Sequence, residues 1–245
     1  MPTLIPPQCT LGPMMEREDS RDVLVMKQGT PSNMGLADLP EGSVVGTSSI
    51  RRTAQLARHY PHLKVADVRG NIGTRLAKLD AEDGPFSCII LAAAGLLRLN
   101  LQHRISQYLD SKNGRMLHAV GQGALGIEIR KDDQQVHDML STIGHKETTL
   151  ASLAERSLLR KLEGGCSAPL GVEAEWIQVA DGSPKLRMRS IVVSVDGKQS
   201  AEVEVDAAVE TPESAEEFGV TVAKALVQKG AGAILDEIQR NKLTP

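Results

Sequence analysis

The stretch from Gly46 to Lys78 limits the possible folds more than any other part of the chain. Ser43-Val44-Val45 reads as a short buried strand. Thr47, Ser48 and Ser49 supply turn and N-cap chemistry, and Ile50, Ala54 and Ala57 follow at helical spacing. The plan then repeats. Leu63, Val65 and Ala66 read as a strand, Arg69-Gly70-Asn71 as a turn, and Ile72, Leu76 and Leu79 as one helix face. Two successive strand–turn–helix units predict an α/β domain with helix N-termini gathered at one sheet edge. The stretch carries five arginines (51, 52, 58, 69, 75) and Lys64 and Lys78 against a single Asp67. Its formal charge is +6 in a chain of net charge −3, so the remainder carries −9. Unpaired backbone N–H groups and the helix dipole favour anions at helix N-termini, and arginine adds forked donors that match carboxylate or phosphate. A cationic island in an acidic chain thus points to a local anion site. The competing reading is two solvated helix faces with ordinary surface arginines.

Composition narrows the function. Aromatics make up only 2% of the 245 residues, so stacking platforms for single-stranded nucleic acid are scarce and no nucleic-acid partner is expected. No apolar run approaches the roughly 20 residues of a membrane span, so no membrane partner is expected. The N-terminus has no basic segment leading into an apolar core, so no secretory signal is read there. Cys9, Cys88 and Cys166 form neither a disulfide framework nor a metal-ligand spacing, which leaves no metal site and a reducing, cytoplasmic setting as the expectation.

Taken in order, Met1 to Pro13 is proline-rich and reads as a connection rather than a first strand. Asp22 to Met26 reads as a strand. Further strands are expected at 43–46, 63–68 and 87–93, with helices at 49–59, 71–81 and 94–110. Cys88 lies in a run apolar on both faces, as in a central parallel strand, and reads as a buried small hydrophobe. Gly121, Gly123 and Gly126 mark a hinge, and Leu125, Ile127 and Ile129 then alternate like a strand returning to an earlier sheet. Gln122 there serves either the hinge or a ligand. Helices are expected at 132–144 and 147–162, the second stopped by Gly164-Gly165. Alternating runs at 170–179, 185–195 and 199–209 predict an antiparallel sheet, followed by a helix through Ala215, Phe218, Val222, Ala225 and Leu226 and a last helix at 232–241. The domain division expected is 1–24 with 119–145, then 25–118, then an α+β domain at 146–245. Cys166 follows a helix C-terminus, whose partial negative charge disfavours a thiolate. It is either an ordinary loop cysteine or an attachment point. His118, before the hinge, reads as structural.

Three motifs converge on one family. Gly46-Thr47-Ser48-Ser49-Ile50-Arg51-Arg52, Val68-Arg69-Gly70-Asn71 with Thr74-Arg75, and Glu163-Gly164-Gly165-Cys166-Ser167 resemble hydroxymethylbilane synthase, also called porphobilinogen deaminase. Ala119-Val120-Gly121-Gln122-Gly123-Ala124 and Glu16-Arg17-Glu18 fit as well, and the order and spacing match over essentially the whole chain. The resemblance implies a periplasmic-binding-protein-like α/β architecture with a C-terminal α+β domain. It also implies a monomeric transferase that joins four porphobilinogen molecules into the linear tetrapyrrole hydroxymethylbilane with release of ammonia. A dipyrromethane cofactor would be attached through a thioether to Cys166. Ser49, Arg51 and Arg52 would hold cofactor carboxylates, and Arg69 and Arg75 cofactor and incoming pyrrole. Arg104 would position substrate, and Thr47, Ser48, Gly70 and Gln122 would line the cleft. The family's catalytic aspartate, in a Lys-Asp pair, would precede Met1. The sequence as written is therefore expected to be N-terminally truncated, to have only a remnant of the first domain, and to show little or no turnover; no remaining carboxylate takes the role by motif. The alternative is a non-catalytic binder of small polyanions.

Overall fold

Buried aliphatic strands and two helix faces build the centre of the molecule. The computed structural model describes residues 5–31, 34–162, 168–180 and 182–243. Cys166, Ser167 and the glycines before them lie outside the described residues. The chain opens with β1 (Cys9–Met14) and β2 (Asp22–Met26), the latter buried along its whole length. The two strand–turn–helix units follow as β3 (Val44–Gly46) with α1 (Ile50–His59), then β4 (Lys64–Ala66) with α2 (Ile72–Asp80). Next come β5 (Cys88–Ala92), the short α3 (Ala93–Leu97) and β6 (Gln107–Leu109).

These strands form one five-stranded sheet in the order β4-β3-β5-β2-β6. β3 runs parallel to β4 and β5, whereas β2 runs antiparallel to β5 and β6. The sheet is therefore mixed, and Cys88 pairs with a parallel neighbour, Val45, on one side and an antiparallel one, Met26, on the other. The sheet is buried on both faces. Val23, Val25, Ile89 and Leu91 pack with Leu76 and Leu79 of α2, while Leu24, Val45, Cys88 and Ile90 pack with Leu56 of α1. Burial pushes the Cys88 thiol up to about 12, which suits its role as a small hydrophobe.

Two expectations are corrected. The helix expected at 94–110 is only Ala93–Leu97, a 3₁₀ turn at Gln102–Arg104, and β6. Asn100 sits at φ 55, which ends the helical path and turns the chain back to pair with β2. The segment Met1–Pro13, read as a connection, holds all but the last residue of β1. It pairs antiparallel with β7 (Gly126–Arg130), and the register shifts between Leu11 and Met14. Pro13 lies in that irregularity, where its missing N–H costs the ladder nothing.

After β7 come α4 (Gln134–Ser141) and α5 (Lys146–Lys161). Strands β8 (Leu170–Gln178), β9 (Pro184–Val193) and β10 (Ser200–Ala207) make a three-stranded antiparallel sheet in the order β10-β9-β8. Helices α6 (Pro212–Gln228) and α7 (Ala231–Leu243) complete the described chain. Leu150, Ala154 and Leu158 of α5, Phe218, Val222 and Leu226 of α6, and Leu186, Met188 and Val192 of β9 share one core. A smaller cluster of Ala54, Leu117, Ile191 and Val193 joins α1 to β9.

Candidate functional site

The C-terminal ends of β3, β4 and β5 meet the start of β2 at one edge of the five-stranded sheet, because β2 runs the other way. Both turns that follow β3 and β4 open there, and they are tied together. Thr47 N donates to the Ala66 carbonyl (2.9 Å), and Ser48 Oγ donates to the Val68 carbonyl (3.1 Å). Thr47 is buried, Ser48 is exposed and Ser49 is half-buried. Gly70 sits at φ 118, a conformation that L side chains rarely adopt, and so lets the second turn close.

The two helix N-termini differ. At α2, Asn71 Oδ1 accepts from Thr74 N at 2.8 Å, so that end is capped internally. At α1, the N-cap Ser49 makes no side-chain capping bond, and the first turn holds no acidic residue. Among the described residues, no side chain caps the first amides of α1, the kind of helix end that suits an anion. The neighbouring turn and α2 carry exposed Arg69, half-buried Arg75 and exposed Lys78. Arg75 Nε donates to the Gly70 carbonyl (2.7 Å), Lys78 Nζ to the Arg69 carbonyl (3.1 Å), and Arg69 reaches Asp67 at 3.1 Å. Partial burial and the charge of Arg52 together press the Arg75 guanidinium down, so cations converge here.

Arg51 and Arg52 stand deeper than their place in an exposed-looking motif suggests. Both are buried, and both bond to Asp22, which is 0% exposed. Arg51 Nη1 donates to Asp22 Oδ2 and Arg52 Nη2 to Oδ1, each at 2.7 Å. Arg51 also donates to the Leu117 carbonyl (2.6 Å) and Arg52 to the Ile90 carbonyl (2.7 Å). The Nε atoms of both arginines are buried without an acceptor among the described residues. Burial alone would raise the Asp22 carboxyl, but the two guanidiniums outweigh it and hold the group well below the usual carboxylate range. Gln122 is brought to the same point, its Nε2 donating to Asp22 Oδ1 (2.9 Å) and to the Ser20 carbonyl (2.7 Å).

The hinge is held from its other side by Arg17 and Glu155. Arg17 Nη1 donates to Glu155 Oε1 at 2.6 Å and Arg17 Nε to the Gln122 carbonyl at 2.8 Å. Gly121 N donates to Glu155 Oε2 at 2.6 Å. His118 is buried beside this group, with Nδ1 against the Ala119 carbonyl at 3.0 Å.

The structure gathers Thr47, Ser48, Ser49, Arg51, Arg52, Arg69, Gly70, Arg75 and Gln122 at this edge. Arg104 is elsewhere: it forms a two-pronged pair with Asp80, 2.9 Å on each side, near the Met26 end of β2. Arg98, not singled out from the sequence, reaches the hinge instead, with Nη2 donating to the Gly123 carbonyl at 2.8 Å. Its position one residue past α3, which leaves the site end of β5, is the signal that would have found it. Asp22 gave no signal at all, being one acid at the start of an apolar strand. A cavity of about 760 Å³ lies at the other end of α1, lined by Arg58, His59, Arg115 and Arg189 among others. Arg189 is neutralised there by Glu173, Glu175 and Glu204. Among the described residues no cluster of three or more His, Cys, Asp or Glu side chains is placed to hold a metal, and no helix is long and apolar enough to cross a membrane.

A mixed α/β sheet with arginines clustered at its strand ends, followed by a three-stranded antiparallel sheet packed with helices, defines an α/β protein with a cationic strand-end site. Residues 1–138 match the family model "Porphobilinogen deaminase, dipyromethane cofactor binding domain", and residues 149–228 match the porphobilinogen deaminase C-terminal domain. The chain belongs to the porphobilinogen deaminase family, transferases of tetrapyrrole biosynthesis that carry a dipyrromethane cofactor. It is 53% identical to the porphobilinogen deaminase of Yarrowia lipolytica, over 97% of this chain and 68% of that protein. It is 48% identical to that of Neurospora crassa, over 99% and 72%, and 47% identical to that of Schizosaccharomyces pombe, over 98% and 71%.

Proposed function

We propose that the strand-end edge binds the carboxylates of the dipyrromethane cofactor and of incoming porphobilinogen, and that Cys166 anchors the cofactor. The open N-terminus of α1 is the observation that carries this reading: Ser49 leaves its own helix uncapped beside the turn that carries Arg69 and Arg75. A polycarboxylate suits that donor set, because it satisfies helix amides and arginine forks together. The cofactor, when bound, supplies the pyrrole end to which substrate units are added.

Each residue then has a distinct task. Ser49 and the first amides of α1 orient one carboxylate. Arg69 and Arg75 bind others, held by the Asp67 and Gly70 contacts. Arg51 and Arg52 supply buried positive charge behind them. Arg98, at the hinge, meets the growing chain from the opposite side. Arg104 serves the fold through Asp80. The overall reaction joins four porphobilinogen molecules into hydroxymethylbilane and releases ammonia at each addition.

Three units serve this chemistry: 1–24 with 119–145 as the hinge side, 25–118 as the anion-binding unit, and 146–245 as the unit with the cysteine. The described residues on either side of Cys166 are packed into the fold. Leu162 is buried, the Pro169 carbonyl accepts from Val193 N, and Gly171 packs against Gln55, one turn from Arg51. A monomer with a cytoplasmic site of action accords with this reading.

Mass spectrometry of the purified chain loaded with cofactor tests the anchor. Cys166→Ser is expected to lose the covalent adduct while keeping a native circular-dichroism spectrum. An unchanged adduct on the variant overturns the assignment.

A further inference from the structure

We propose that Asp22 is a positioning residue for carboxylate binding: it draws Arg51 and Arg52 to one point and, through Gln122, fixes that point relative to the hinge. The inference rests on the reading of the strand-end edge as the cofactor site. Consecutive helical residues project about 100° apart, so Arg51 and Arg52 share an acceptor only if one is set between them. Asp22 is that acceptor, with one oxygen for each guanidinium at 2.7 Å. It comes from β2, about thirty residues before α1, and is shut away from solvent. Two buried guanidiniums with no anion would be strongly disfavoured, and one would leave for the surface.

Gln122 extends the arrangement. Its side-chain amide donates to Asp22 and to the Ser20 carbonyl, and its own carbonyl accepts from Arg17, which grips Glu155 of α5. Asp22 therefore stands between the arginine pair and the hinge, and the aim of the pair follows the hinge.

The charge effect of removing Asp22 opposes the positioning effect, which makes the test decisive. Asp22→Asn keeps the shape but raises the formal charge of the site by one. If Asp22 were merely a nearby negative charge, the variant would bind carboxylates more tightly. If it positions the arginines, the variant binds more weakly.

The experiment is calorimetric titration of the chain with a synthetic dipyrromethane carrying acetate and propionate side chains, alongside circular dichroism. At least a tenfold rise in Kd is expected for Asp22→Asn, and about threefold for Gln122→Met, which leaves the charge unchanged. Unchanged or tighter binding by a folded Asp22→Asn overturns the proposal. If that variant does not fold, Gln122→Met decides, and an unchanged Kd there overturns it. Nitrogen-resolved NMR of the arginine Nε–H groups gives a reading free of ligand. Arg51 and Arg52 should show two resolved, slowly exchanging signals in the parent chain and averaged ones in Asp22→Asn. If the parent chain fails to bind the dipyrromethane, the proposed cofactor site falls. The NMR comparison then still decides the role of Asp22, and signals that persist unmoved in the variant overturn it.

Discussion

Arg17 and Glu155, 138 residues apart in the chain, form a two-pronged ion pair at 2.6 and 3.1 Å, with the Glu155 side chain wholly out of solvent. Gly121 N and the Gln122 carbonyl close the group from the hinge side. The pair thus fastens the segment after β1, the hinge and α5 to one another. Removing one partner would leave the other charge buried without compensation. Glu155→Ala is expected to cost about 3–5 kcal/mol. Urea denaturation of the variant measures this, and a loss under about 1 kcal/mol would mean that solvent reaches the pair.

Acid should unfold the protein in two stages. Burial leads in holding the His118 imidazole below its ordinary value of 6.5, with Arg17 and Arg51 opposing Glu155 around it. The folded state prefers neutral His118, so this contribution is present above pH 6.5 and is lost as the pH falls below it. Asp22 and Glu155 are held below 3.8 and 4.5 by their arginines, against burial. Their contribution is intact above those values and is lost as the pH falls through them. Each group that takes up one extra proton on unfolding steepens the profile by at most about 1.4 kcal/mol per pH unit. Melting temperatures from pH 8 down to about 2 should show both stages, and His118→Gln should flatten the upper one. A parent profile already flat between pH 6.5 and 5 would contradict this.

Gly197 carries the contact between β9–β10 and α1. It lies at φ 75, and a Cβ there would meet the Ala57 carbon and the Arg58 nitrogen at 2.5 Å each. Backbone, unlike a flexible side chain, cannot step aside. Gly197→Ala is expected to lose about 1–3 kcal/mol through strain and separation of the two surfaces. Hydrogen exchange should report faster opening of α1 amides; exchange at the parent rate would show that the seam absorbs the methyl group.

Arg104 and Arg75 separate fold from binding. Arg104→Ala removes a partly buried two-pronged pair with Asp80, and a loss of about 1 kcal/mol is expected with unchanged affinity for the dipyrromethane probe. Arg75→Ala should do the reverse, weakening probe binding about tenfold with little effect on the melt. Titration and melting of both variants check the contrast, and a binding defect in Arg104→Ala would return that residue to the site.

Local pattern determined much of this protein. Ile50, Ala54 and Ala57 announced α1, Ile72, Leu76 and Leu79 announced α2, and the alternating runs at 170–209 announced β8 to β10, because helix and strand periods are written in consecutive residues. The Ser49 turn and the arginine cluster were legible for the same reason. Only the tertiary structure decided that Arg51 and Arg52 are buried. Whether a guanidinium faces water depends on which anion folds against it, and Asp22 arrives from a distant strand. Only the tertiary structure separated Arg98 from Arg104. Six residues apart in sequence, they reach opposite ends of the sheet because Asn100 turns the chain and β6 returns along β2. Sequence distance is blind to that reversal, since a strand's direction is settled by its neighbours and not by its own residues.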